Sequence, residues 1–97
     1  MATYVSLLKF TAKGLEGVKD TVKRAEKAAQ LAESLGGRMT NILWTQGAYD
    51  LVVTTEFPDD ETQAAFVVTT AMQGNITTET LRAFTAKEVE GIISKLP

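Results

Sequence analysis

The chain has 97 residues, 44% of them hydrophobic, and a formal net charge of −2. That supports one core, but a marginal one, because a chain of this size buries only about two thirds of its unfolded surface and gains from oligomerisation. The slight acidity argues against a broad nucleic-acid footprint, which needs a basic face, and no run of about 20 apolar residues is present to span a membrane.

Thr3 to Thr11, TYVSLLKFT, reads as a strand. Val5 and Leu7 fall on one face, and Tyr4, Leu8 and Phe10 on the other. Apolar groups on both faces predict a central strand covered on each side. Leu15 to Leu35 reads as one long amphipathic helix. Leu15, Val18, Val22, Ala25, Ala29 and Ala32 recur at steps of three and four, and Leu35 closes the stripe. Its outer face carries Glu16, Lys19, Asp20, Lys23, Arg24, Glu26 and Lys27, with Asp20 and Arg24 spaced as a helical pair. The basic group Lys23, Arg24 and Lys27 reads as a solvated helix face. Gly14 and Gly17 weaken the first turn, and Gly36-Gly37 supplies the stop.

Arg38 to Phe57, RMTNILWTQGAYDLVVTTEF, reads as a β-hairpin rich in strand-forming residues. Gly47 suits the first central position of a two-residue turn that needs a positive φ. That turn sets Gln46 opposite Tyr49, Trp44 opposite Leu51 and Ile42 opposite Val53, which makes one face strongly apolar. The other face is mixed: Asn41, Leu43 and Thr45 against Asp50, Val52, Thr54 and Glu56. A slip of one residue would scramble the two sets.

Pro58 ends the second hairpin strand, and Asp59-Asp60-Glu61 opens another helix, where acidic residues complement the helix dipole. Ala64, Ala65, Val68, Ala71 and Met72 are its expected buried stripe, and Gly74-Asn75 its stop. Asn75 to Phe84 reads as a Thr-rich fourth strand. Thr85-Ala86-Lys87-Glu88 matches a capping box for a last helix with the stripe Val89, Ile92, Ile93 and Leu96.

The order βαββαβ plus a C-terminal helix predicts an α+β, ferredoxin-like domain over residues 1–97. Its sheet has four antiparallel strands, with two long helices on one face. Those helices cover only that face. The other still carries apolar side chains, and a second copy is the simplest cover, forming a two-fold dimeric α+β barrel. The last helix then either latches onto the partner or closes its own barrel mouth.

With no Cys and no His in the sequence, thiol nucleophiles, disulfides, Ser-His pairs and Cys or His metal ligands are excluded. No cofactor or metal is expected. Asp59-Asp60-Glu61 lacks the ligand alternation of a calcium loop, and no phosphate loop is present. Asp50 is the first functional candidate: it follows the turn on the mixed face, although its carboxylate also suits turn amides or an Arg partner such as Arg82. Tyr49 offers a hydroxyl to orient a ligand, or simply packs. Trp44 reads as core. Glu79 and Arg82 lie on opposite faces of the fourth strand, so only one points into the barrel. Arg82 would attract a carboxylate, Glu79 would serve as an acid or base, and each also suits a structural ion pair.

Gly47-Ala48-Tyr49-Asp50 matches the Gly-x-Tyr-Asp signature of the GYD-domain family. Gly74-Asn75-Ile76-Thr77-Thr78-Glu79-Thr80-Leu81-Arg82-Ala83-Phe84 resembles that family's second block. The Phe-Thr strand end, Arg24-Ala25 within the long helix and Gly36-Gly37 are similar too, so the resemblance covers essentially the whole chain. It implies a dimeric α+β barrel, from a superfamily that includes muconolactone isomerase-like enzymes, cofactor-independent monooxygenases and amino-acid-binding regulatory domains. It implies no particular activity. The expected protein is a cytoplasmic homo-oligomer, a homodimer through the sheet face. It binds a small molecule near that face and the hairpin tip, either between the sheet and the helices or in the barrel, with Trp44, Tyr49, Asp50, Glu79 and Arg82 as candidate ligand contacts. A cofactor-independent isomerase or monooxygenase acting on a small aromatic or lactone compound is one alternative. A structural assembly protein without a ligand is another. RNA-recognition modules share the βαββαβ order, but Tyr49-Asp50-Leu51-Val52-Val53-Thr54 lacks their third-strand aromatic pattern.

Overall fold

The computed structural model describes Met1–Pro97. Strand β1 (Ala2–Phe10) leads into a short helix α1 (Ala12–Glu16), a 3-10 turn (Val18–Asp20) and helix α2 (Thr21–Ser34). Strands β2 (Arg38–Trp44) and β3 (Leu51–Phe57) follow, then α3 (Asp60–Met72), β4 (Ile76–Ala83) and α4 (Ala86–Ile93). The four strands form one antiparallel sheet in the order β2-β3-β1-β4. This is the ferredoxin-like arrangement, with β1 and β3 central. No helix is long and apolar enough to cross a membrane.

The hairpin has the expected register. Trp44 pairs with Leu51, Leu43 with Val52, Ile42 with Val53 and Asn41 with Thr54. Gly47 takes φ +112° in the connection, which a Cβ-bearing residue adopts only with strain. Ladder pairing stops at Trp44 and Leu51, and one further backbone bond (Thr45 N–H to Asp50 O, 2.8 Å) closes a longer loop, so the expected two-residue turn with Gln46 opposite Tyr49 does not form. A bulge at Thr40 was not legible in the sequence. It inverts the alternation, so Met39 opposes the buried Thr55 and packs against the core beside Ile42. Bulges re-aim side chains in this way.

The expected long helix is broken. Its first turn, α1, is capped by Thr11, whose hydroxyl accepts the Gly14 N–H. The chain then bends through Gly17 and the 3-10 turn before α2 begins. The expected stripe holds only in its second part, where Ala32 and Leu35 lie on the core. Leu15, Val18 and Val22 are exposed, whereas Ala28, Leu31, Ala32 and Leu35 pack on the core. Arg24 turns inward as well: its Nη2 donates to the carbonyls of Gly14 and Gly17 at 3.0 and 3.1 Å, bracing the bend. The expected Asp20–Arg24 pair does not form.

The inner face of α3 also differs from expectation. Gln63 and Phe66 are buried, with Val67 packed on the core, while Ala64, Ala65, Val68, Ala71 and Met72 are exposed. Apolar residues stand on both sides of this helix, so periodicity alone chose the wrong side. Asp60 and Glu61 stand in the first turn of α3 as expected, and Asp59 adds an N-cap, accepting the Thr62 N–H at 2.8 Å. Thr85 and Glu88 form the capping box of α4.

Two groups of buried side chains hold the helices to the sheet. Tyr4, Ala32, Phe57 and Phe66 form one, and Leu8, Leu51 and Val53 the other. Only 11 of 97 residues are buried, few even for a chain of this size. Two apolar surfaces account for much of the exposure. The sheet face away from the helices carries Val5, Leu7, Leu43, Val52 and Leu81, by the strand registers. Helix α4 presents Val89, Ile92 and Ile93, all exposed.

Candidate functional site

The register separates the five candidate residues by face. Leu7 pairs with Glu79 and Tyr4 with Arg82. Glu79 therefore lies on the open face of the sheet, and Arg82 on the helix face. Tyr49 projects from the hairpin loop across the open face, where its hydroxyl donates to Glu79 Oε2 at 2.8 Å. The hydrogen bond to Glu79 and partial desolvation hold the Tyr49 hydroxyl pKa above its usual value. Lys9 Nζ sits 5.4 Å from the Tyr49 ring centroid, a cation–π separation.

Asp50 is adjacent in the chain but turned elsewhere. Its carboxylate accepts the Phe10 N–H at 2.9 Å, and its own N–H donates to Leu8 O at 2.8 Å. The side chain thereby continues the β1–β3 ladder where the main chain leaves it. Trp44 is not core. It stands 42% exposed at the end of edge strand β2, and its indole N–H donates to Thr21 Oγ1 at 3.0 Å.

Arg82 belongs to a cluster at the start of α3. Its guanidinium lies 4.6 Å from the Phe84 ring centroid and 5.5 Å from that of Tyr4. It approaches Asp60 at 3.9 Å, and Asp60 in turn accepts the Tyr4 hydroxyl. Burial and then the Asp60 hydrogen bond push the Tyr4 pKa up to about 12. A raised folded-state pKa means that this stabilisation is whole below the ordinary tyrosine value of 10.0 and is lost as pH rises through about 12. Wild-type protein therefore loses stability across that alkaline window in denaturant titrations. Tyr4→Phe, which has no proton to lose, shows a flatter profile there; identical slopes for the two would refute the assignment.

The more enclosed of two clefts lies elsewhere, between the helix face of the sheet and the pair α2 and α3. It measures about 260 Å³. Leu8, Leu51, Val53 and Ile76 supply an apolar floor, and Ser6 and Thr78 place hydroxyls in it. Ser6 is buried and lies 3.2 Å from the Thr80 hydroxyl, which in turn is 3.4 Å from that of Thr78. Helix α2 contributes Ala28, Arg24 and Lys27, α3 contributes Thr70, and Gln73 follows just past its end. None of Trp44, Tyr49, Asp50, Glu79 or Arg82 lines it. A ligand place between sheet and helices is among the sequence expectations, but its lining residues are not, because they depend on how far apart the two helices lie. The one local signal was a run of hydroxyl residues (Ser6, Thr78, Thr80) at strand positions facing a helix layer.

Fold and cleft together define a ferredoxin-like α+β protein with a cavity between sheet and helices. The GYD domain model matches residues 4–93, and the chain belongs to that family. Among solved structures it is similar to TTHA0845 from Thermus thermophilus, with a TM-score of 0.56 and 23% identity over 89% of this chain and 96% of that one. That likeness concerns the fold. No curated protein matches the chain.

Proposed function

We propose that this protein is a homo-oligomeric small-molecule-binding protein, one domain per chain, whose ligand occupies the cavity between the sheet and helices α2 and α3. The observation that carries this reading is the cavity itself. At about 260 Å³ it approaches the size of small-ligand sites, which combine apolar walls with a few polar groups. Its apolar floor lies open between the sheet and two helices rather than closed over by side chains, which suits an occupant. The lining contains no carboxylate and no tyrosine, which favours binding over acid–base catalysis. Ala28→Phe puts a ring into the cavity from α2. Thermal-shift screening with small aromatic compounds is expected to give stabilising hits for the wild type and none for this variant. Equal shifts in both would remove the cavity as the site.

The open sheet face supports self-association. Its apolar residues are bordered by Lys9, Arg38, Glu56 and Glu79, two of each sign, with Arg38 and Glu56 paired at 3.1 Å. A balanced face suits a two-fold contact, in which the same surface meets itself. Burying each large apolar side chain there is worth about 1.5–3 kcal/mol. The Tyr49–Glu79 bond would lie within that contact, and the stripe of α4 would find its cover on the partner. Light scattering is expected to give twice the 10.5 kDa chain mass for the wild type, and the single-chain mass for Leu7→Glu with Leu81→Glu. A monomeric wild type would contradict the proposed dimer.

A further inference from the structure

We infer that the ligand of the sheet–helix cavity is a small apolar compound bearing one negative charge, of the aryl or alkyl carboxylate class. This rests on the cavity being the binding site. The chain carries 12 acidic and 10 basic residues, yet the cavity lining contains Arg24 and Lys27 and no Asp or Glu. A site with two cations and no counter-charge, in a chain of net charge −2, selects for an anion.

The two cations are positioned differently. Arg24 is held by its Nη2 bonds to Gly14 and Gly17, and its guanidinium centre lies 5.9 Å from the Phe10 ring. Its other nitrogens are not used by those bonds, so the fork is fixed in place with donors to spare. Lys27 lies three residues on, exposed, with no ion-pair partner. Both stand on α2, on one side of the cavity. The floor beneath, Leu8, Leu51, Val53 and Ile76, is apolar. A ligand that satisfies both halves lays a ring or short alkyl chain on the floor and turns its charged end toward α2. The hydroxyls of Thr69 and Thr70 already donate to the Ala65 and Val67 carbonyls. Those hydroxyl hydrogens are spent, so the donors left on that side are the uncharged amides of Gln73 and Asn75, while the positive charge lies on α2.

The test is calorimetric titration of the full chain with 4-ethylbenzoate and with 4-ethylbenzamide, which match in shape and differ in charge. The benzoate is expected to bind roughly five-fold or more tightly than the amide, with the advantage shrinking as salt is raised. Lys27→Gln alters an exposed side chain that the fold does not use. It is expected to weaken the benzoate about three-fold and leave the amide unchanged. Amide and benzoate binding equally would overturn the charge assignment while leaving the cavity as a site. Failure of both probes to bind the wild type would overturn the cavity reading and the ligand class together.

Discussion

Phe57→Ala is expected to lower the free energy of unfolding by about 3–5 kcal/mol, much of the roughly 5–15 kcal/mol that holds an ordinary domain together. Phe57 ends β3 and is fully buried. Its ring centroid lies 5.1 Å from that of Phe66 on α3 and 6.3 Å from that of Tyr4 on β1, so one side chain joins helix to sheet. A further neighbour is backbone. A Cβ added at Gly37 would come within 2.4 Å of the Phe57 ring, so the ring lies directly against the main chain before β2. Truncation leaves a void that backbone on that side cannot move to fill. Urea denaturation checks this, and a loss below about 1 kcal/mol would mean that the core collapses around the gap.

Gly14→Ala sets two effects against each other, and the geometry decides which wins. Ala is preferred over Gly within a helix by about 1 kcal/mol, and Gly14 lies inside α1 without a positive φ. Propensity alone therefore predicts stabilisation. A Cβ at this position, however, would stand 2.0 Å from the Asn75 carbonyl oxygen. That oxygen is not free to retreat, because it accepts the Thr11 N–H at 3.0 Å, and the Thr11 hydroxyl donates to Gly74 O at 2.6 Å beside it. The clash is with held backbone, so overpacking costs on the order of 2–3 kcal/mol and outweighs propensity. The variant is expected to be less stable than wild type in the same denaturation assay. A more stable variant would show that α1 does not press on the start of β4.

The hairpin was legible because a period of two and the one glycine suited to its turn left a single register that kept Leu51 and Val53 with Ile42. The capping box at Thr85 was legible because it is a local exchange of hydrogen bonds within four residues. What failed has a different origin. A continuous helical stripe through Gly17 puts Val18 and Val22 in the core, whereas the chain bends there and Arg24 braces the bend. The α3 stripe was misphased because Ala64, Val68 and Met72 are as apolar as Phe66 and Val67, and only the tertiary packing says which set faces the sheet. Trp44 shares the apolar hairpin face with Ile42, which predicts core, but it closes the end of an edge strand and stays exposed. Of the candidate residues, Tyr49 and Glu79 meet although 30 residues separate them. That contact follows from β4 lying beside β1, which is a property of the fold rather than of either segment.

The most direct measurement of the central claim is a map of backbone amide shifts on titrating the isotope-labelled protein with 4-ethylbenzoate. The account predicts that the perturbed amides cluster around the cavity, at Leu8, Ala28, Val53 and Thr70, with Lys27 among them. Perturbations confined to the open sheet face around Leu7, Val52 and Glu79, or none at saturating probe, would contradict it.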